Sequence, residues 1–327
     1  VIERESLMTL SDGIRSEVPM SFTLFPGTRR TLALESLAGL SVGDALGAQY
    51  FVPGIKPADL LDARVPEPPW EWTDDTEQAC CLVATLAEGD FDRDAFAALL
   101  ADRFEPYRGY GPGAVVMLRE IREGLPWPIA AAAAFNGQGS CGNGAAMRAA
   151  PLGAWHADSL AHAATQGVRA AEVTHAHPEG IAGGVAVSVA AAYAAAARLN
   201  GHRPDPGRLL LAAAAHTAPS VVRDGLTTSV RGGVAEAAER LGNGGQATAQ
   251  DTVPFALWVA DRYLDDFPAA VAACVVAGGD VDTTAAIAGG VVAAYTGLDG
   301  IPGDWLAHRE PLPAWLAAAS GDQSAGG

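Results

Sequence analysis

Apolar positions recur along this chain at helical spacing, interrupted by short clusters of glycine and proline. Residues 31–49 carry Leu32, Leu34, Leu37, Leu40 and Leu46 with small residues between them, a pattern that suits a helix packed on several sides. The same reading predicts helices over 77–88, 93–104, 113–123, 158–172, 180–199 and 206–216. Further along it predicts them over 225–240, 254–264, 267–277 and 282–295. Pro- and Gly-rich turns at 65–69, 105–112, 136–144 and 242–245 separate these segments. Strand signals are nearly absent, and no period of 20–50 residues recurs, which excludes a solenoid. The expected architecture is one all-α domain over residues 23–319. An N-terminal extension at 1–22 and a tail at 320–327 are candidates for disorder.

A chain of 327 residues can bury a full core without disulfides or a structural metal. Aromatics make up only 7 %, and alanine and glycine dominate the apolar fraction, which favours closely approaching helix axes. The formal charge of −17 repels a nucleic-acid backbone, so undirected DNA or RNA binding is not expected. It leaves room for a pocket that takes one modified nucleotide. Cys80, Cys81, Cys141 and Cys274 form no CxxC pair, which fits a reducing compartment, and a cytoplasmic location is expected. Residues 1–20 carry charges throughout and no apolar core, so no signal peptide is expected. The uncharged run 180–197 approaches the length of a membrane span. It is mostly Ala and Gly, flanked by Glu179 and Arg198, and reads as a buried helix, with no membrane partner.

Two acidic clusters carry the candidate chemistry. In Thr73-Asp74-Asp75-Thr76, adjacent carboxylates repel one another in a dry pocket unless a cation lies between them. Taken alone, this cluster is better explained by a helix N-terminus, since Thr and Asp cap helices and acids suit the first turn. The second cluster, Asp280-Val281-Asp282-Thr283, lies in an apolar stretch whose residues 271–297 hold no other charge. A cap needs one acid, and two unpaired carboxylates beside a buried helix are costly unless bonded or coordinated. Taken together, the clusters point to a shared cation site with hard oxygen ligands, which suits Mg²⁺ or Mn²⁺. Zinc fits less well, because no Cys/His set supplies its usual complement.

Between the clusters, the glycine-rich loop Asn136-Gly137-Gln138-Gly139-Ser140-Cys141-Gly142-Asn143-Gly144 precedes Ala145-Ala146-Met147-Arg148. Such a loop offers backbone N–H groups to a phosphate, although a plain inter-helix connection has the same composition. Thr174-His175 forms a third polar island, where the histidine either contacts a ligand or serves the following helix. Gly109-Tyr110-Gly111 reads as a turn, with Tyr110 a candidate lid residue.

These motifs, in this order, resemble the ADP-ribosylglycohydrolase family, which includes the dinitrogenase reductase-activating glycohydrolases. The resemblance runs over residues 31–296, and its landmarks include Gly43-Asp44-Ala45-Leu46-Gly47 as well as the clusters above. It implies a compact orthogonal multi-helix bundle with a cleft floored by two Mg²⁺ or Mn²⁺ ions. By motif match it implies Thr73, Asp74, Asp75, Asp280, Asp282 and Thr283 as metal ligands, with Asp74 or Asp75 taking a proton from water. It further implies Ser140, Gly142, Asn143 and Gly144 on a diphosphate, His175 near a ribose, and Gly109, Tyr110 and Gly111 on the adenosine side. The partner implied is ADP-ribose on a protein, nucleotide or small molecule, and the activity is hydrolysis of its N- or O-glycosidic bond. One departure stands out: Phe51 occupies the position where some relatives carry a gating glutamate. A catalytically silent ADP-ribose-binding protein is therefore the alternative. A terpene-synthase-like reading fails on the second cluster, which lacks the Asn/Ser/Glu spacing of that family's other metal site.

Overall fold

The computed structural model describes residues 22–319, which form α-helices and short 3-10 turns with no strand among them. The expected extension, apart from Phe22, and the expected tail lie outside the described residues. In chain order the helices begin with α1 (Pro26–Gln49), α2 (Pro57–Leu61), α3 (Asp74–Ala84), α4 (Arg93–Arg103), α5 (Pro112–Arg122) and α6 (Trp127–Gly137). The middle of the chain forms α7 (Gly144–Met147), α8 (Ala150–Trp155), α9 (Leu160–Glu172), α10 (Pro178–Leu199) and α11 (Arg208–His216). The rest is α12 (Val221–Thr227), α13 (Val234–Leu241), α14 (Ala249–Arg262), α15 (Phe267–Ala277), α16 (Val281–Thr296), α17 (Gly303–His308) and α18 (Ala314–Ala319).

The tightest pairing is α1 on α16, and its cause is legible in small residues. Gly39, Gly43 and Gly47 recur every four residues, so they form one stripe along α1. A Cβ on Gly39 would come within 2.5 Å of Gly289 O, and one on Gly47 within 2.7 Å of Asp282 Cα. Only glycine lets the two backbones meet this closely. α10 forms the buried spine beside them, against α8, α9 and α16. It is long and apolar enough to cross a membrane, yet 94 % of its apolar window is buried inside the fold, as expected of a core helix. Each buried CH₂ contributes only about 0.8 kcal/mol. An alanine-rich core therefore gains stability from many close contacts rather than from a few large side chains.

Most of the predicted helices are present, but the structure differs in several places. The segment predicted as one helix over 225–240 is two, α12 and α13, because Thr228, Ser229 and the Gly232-Gly233 pair break the pattern. α6 begins in a stretch given no element, and it ends in a kink inside the expected loop. There Ala134 turns extended, while Phe135 (φ 53°) and Asn136 (φ 59°) adopt left-handed backbone. The short helices α7 and α8 were not anticipated, since four to six residues carry too little periodicity to register. Isolated bridges tie loops together, Trp70 to Arg309 and Gly142 to Thr248.

Candidate active site

Both acidic clusters stand at helix N-termini, and α1 joins them. Thr73 caps α3, its hydroxyl accepting from Asp75 N at 3.4 Å, so capping accounts for the start of the first cluster. Asp280 precedes α16 without a side-chain cap bond. Its carboxylate instead accepts from Asn143 Nδ2 at 2.7 Å, while Asp282 Oδ1 accepts from Thr283 N at 2.8 Å. Capping alone thus does not account for the second cluster.

The residue that binds these parts together is Asp44, fully buried near the C-terminal end of α1. It accepts from Thr73 N at 3.0 Å, Thr73 Oγ1 at 2.8 Å, Thr76 N at 3.1 Å and Thr76 Oγ1 at 2.5 Å. The α1 carboxylate therefore clamps the first turn of α3. Sequence reasoning quoted Asp44 only as part of a landmark and gave it no role. The available signal was that it is the lone charge between Glu35 and Lys56.

The electrostatics of this floor are strained. Burial first, offset by the Thr76 and Thr73 bonds, leaves the Asp44 carboxyl raised to about 6. Burial and then Asp44 push Asp74 up to about 7, against the bond from Gln78. Asp75 is raised well above the usual carboxylate range by burial, then by Asp44, Asp282, Asp74 and Asp280. Asp282 is raised by burial, then by Asp280 and Asp44. Asp75 Oδ2 is buried with no hydrogen-bond partner. Among the described residues, no three His, Cys, Asp or Glu side chains are grouped as a preformed metal cage. The donor set is nevertheless all hard oxygen, and the orphaned Asp75 oxygen lacks a positive partner. Both features fit a divalent cation.

A cavity of about 770 Å³ opens above this floor, within the range usual for small-molecule sites. Asp74, Asp75, Asp280, Asp282 and Thr283 line one end of it. Ser140, Gly142, Asn143, Gly144 and His175 line an adjoining wall, and Gly109 and Gly111 also line the cavity, Gly109 close to Asp74. The glycines make room for the His175 ring: a Cβ on Gly142 would lie 3.4 Å from its Nε2, and one on Gly144 3.3 Å. Ser140 Oγ accepts from Gly142 N at 3.1 Å, holding the loop's turn. Burial, and then the charge of Arg148, depress the His175 imidazole to about 3, so it is neutral at pH 7. An apolar face of Val116, Met117, Ala130, Ala133 and Phe135, from α5 and α6, completes the enclosure.

Three of the predicted site residues sit elsewhere. Thr73 lies behind the floor, bonded to Asp44. Tyr110 turns inward, its hydroxyl donating to Glu77 Oε2 at 2.7 Å and its ring edge-on to Phe104. Phe51 lies just past the end of α1, 54 % exposed and outside the cavity lining. The loop bearing Gly109 is anchored by Arg108, which donates to both Glu310 carboxylate oxygens and stacks 3.6 Å from the Trp72 ring centre.

Comparisons with known proteins identify the family of the chain. The profile of the ADP-ribosylglycohydrolase family matches residues 26–325. The chain is 28 % identical to the human ADP-ribosylhydrolase ARH3, over 82 % of this chain and 86 % of that protein. It is 26 % identical to the ADP-ribosylarginine hydrolase Tri1 of Pseudomonas putida (strain GB-1), over 87 % of this chain and 76 % of that protein. A solved ADP-ribosylglycohydrolase-related protein complex superposes with a TM-score of 0.64 at 30 % identity, covering 90 % of this chain and 97 % of the other. The chain belongs to the ADP-ribosylglycohydrolase family.

Proposed function

We propose that this protein hydrolyses the N- or O-glycosidic bond between ADP-ribose and an acceptor, with Mg²⁺ or Mn²⁺, two ions in all, held by the acidic floor. The observation that carries this reading is one cavity with two unlike polar ends. Its floor gathers buried, mutually repelling carboxylates, and its wall presents glycine backbone and a neutral histidine. Asp74, Asp75, Asp280, Asp282 and Thr283 would hold the cations, with Asp44 fixing the first turn of α3 beneath them through Thr73 and Thr76. Bound there, the metal would supply positive charge to ribose hydroxyls and to water.

The remaining work belongs to the chain. Asp74 or Asp75 orients a water and accepts its proton as it attacks the anomeric carbon, while the glycosidic bond breaks and the acceptor leaves with the bonding pair and takes up a proton from solvent. The carboxylates of the floor also stabilise the oxocarbenium-like charge that develops at that carbon. The Ser140–Gly144 loop and His175 hold the diphosphate, and the apolar α5–α6 face excludes water from the adenosine side. The acceptor enters by the open mouth of the cavity, in a cytoplasmic setting.

A panel of serine-, arginine-, nucleobase- and O-acyl-linked ADP-ribose substrates, assayed for free ADP-ribose with Mg²⁺ and with Mn²⁺, tests the reading. Release is expected with cation and is abolished by excess chelator. Binding of ADP-ribose in calorimetry without turnover of any substrate would favour the silent binding protein. The absence of both binding and turnover would overturn the proposal.

A further inference from the structure

Arg148, the lone charge between Glu123 and Asp158, follows α7 and is 1 % exposed. Its guanidinium donates Nη1 to Gln78 Oε1 at 2.6 Å, and Nη2 to Thr174 Oγ1 at 2.8 Å and to Ala170 O at 3.1 Å. Two of these partners, Gln78 and Thr174, line the cavity and lead on to its polar groups. Gln78 Nε2 donates to Asp74 Oδ2 at 3.0 Å, and Thr174 Oγ1 lies 2.7 Å from His175 Nδ1.

The directions of these bonds follow from counting protons. Arginine only donates, so Thr174 Oγ1 accepts from it. Were Nδ1 of His175 protonated, it too would donate to Oγ1. The single hydroxyl proton, on a residue 3 % exposed, would then lack the bond it can make to Nδ1. Leaving a buried donor unmet costs about 1–3 kcal/mol. The arrangement that satisfies the chain has Thr174 donating to Nδ1, which leaves the ring proton on Nε2. That nitrogen faces the Gly142 and Gly144 backbone. The same logic fixes Gln78: its carbonyl must face Arg148, so its amide N–H faces Asp74.

We propose that Arg148 is a positioning residue that orients both ends of the site. Through Thr174 it sets His175 as an Nε2–H donor facing the glycine loop, and through Gln78 it delivers an N–H donor to Asp74. The ring stays neutral at pH 7, so this donor does not depend on a titration. That the Nε2–H serves an anionic ligand rests on the ADP-ribose reading above; the tautomer does not.

Long-range ¹H–¹⁵N correlation NMR of the full chain labelled with ¹⁵N-histidine reads the tautomer without ligand, with His175 assigned by its loss in His175→Asn. The expected result is protonated Nε2 and bare Nδ1 in the wild type. Thr174→Val is expected to lose that signature and to weaken ADP-ribose binding about tenfold, the worth of one hydrogen bond. Thr174→Ser is expected to restore both. In Arg148→Met the Thr174 hydroxyl is freed to rotate and the signature is expected to become mixed. Should that variant not fold, the Thr174 pair decides. A wild type protonated at Nδ1, or a Thr174→Val protein with an unchanged signature, would overturn the proposal. A wild type with the expected signature that does not bind ADP-ribose supports the tautomer and sinks the functional reading instead.

Discussion

Asp75 illustrates how a single side chain can be poor for stability and, on the function proposed above, good for chemistry. Its carboxylate is 2 % exposed, has one oxygen without a partner, and faces repulsion from Asp44, Asp282 and Asp74 after the cost of burial itself. Replacing it by the isosteric amide removes a charge that the cation-free fold resists. Asp75→Asn is therefore expected to raise the unfolding free energy in chelator by about 1–2 kcal/mol, measured by denaturant titration. The same variant is expected to release ADP-ribose at least about 100-fold more slowly, as is Asp282→Asn. Loss of stability together with full activity in Asp75→Asn would contradict this account. Asp44 was within reach of sequence reasoning, as an isolated charge in an apolar helix. Its bonds from four donor groups of Thr73 and Thr76 were not, because the partners lie about thirty positions away.

At the level of elements, the α1–α16 contact does two jobs at once. The glycine stripe sets the distance between the helices, and that distance brings Asp44 beside the N-terminus bearing Asp282. Adding a methyl group to the stripe must push backbone apart. Gly39→Ala, far along the helix from the floor, is expected to cost about 1–3 kcal/mol in thermal or chemical unfolding. Gly47→Ala, whose Cβ would meet Asp282 Cα, is expected to lower turnover about tenfold or more although it removes no site group. Gly27→Ala in the first turn of α1 meets nothing within 4 Å and is expected to be neutral or slightly stabilising. Equal effects at positions 27, 39 and 47 would show that helix propensity, not close approach, governs this pair. The recurrence of Gly39, Gly43 and Gly47 was visible in the sequence, but the helix they face was not.

For the whole molecule, buried histidines and buried carboxylates pull the pH dependence in opposite directions. His156 is 4 % exposed, its Nδ1 has no partner, and its ring packs edge-on to His162 at 4.6 Å. Burial, then His162 and Arg29, hold it down to about 3, against an ordinary value of 6.5. Between pH 6.5 and about 3 the unfolded chain binds a proton there that the folded chain refuses, so stability falls on acidification. His175 acts in the same sense. Asp44 and Asp74, raised to about 6 and 7, favour the fold as pH drops through that interval. The net curve mixes both, so the informative measurement is the difference between wild type and His156→Gln. The variant is expected to lose less stability from pH 7 to pH 5, by about 2 kcal/mol. Parallel curves would show that His156 titrates normally in the fold.

The sequence by itself determined the class of fold and the glycohydrolase family to which the chain belongs. Periodicity depends on neighbours three and four residues apart, so long helices such as α10 and α16 were legible. Acidic pairs beside glycine-rich loops named the residue types a phosphate-bearing, cation-dependent site requires. Helices of four to six residues and the kink at 134–136 left too little local pattern to register. What only the tertiary structure decided was assembly: which helix faces the glycine stripe, that Asp44 clamps α3, and that Arg148 links Asp74 to His175. It also turned Tyr110 toward Glu77 and left Phe51 on the surface. These outcomes depend on contacts between segments distant in the chain, where burial and the need to satisfy every polar group choose among arrangements that local sequence leaves equal.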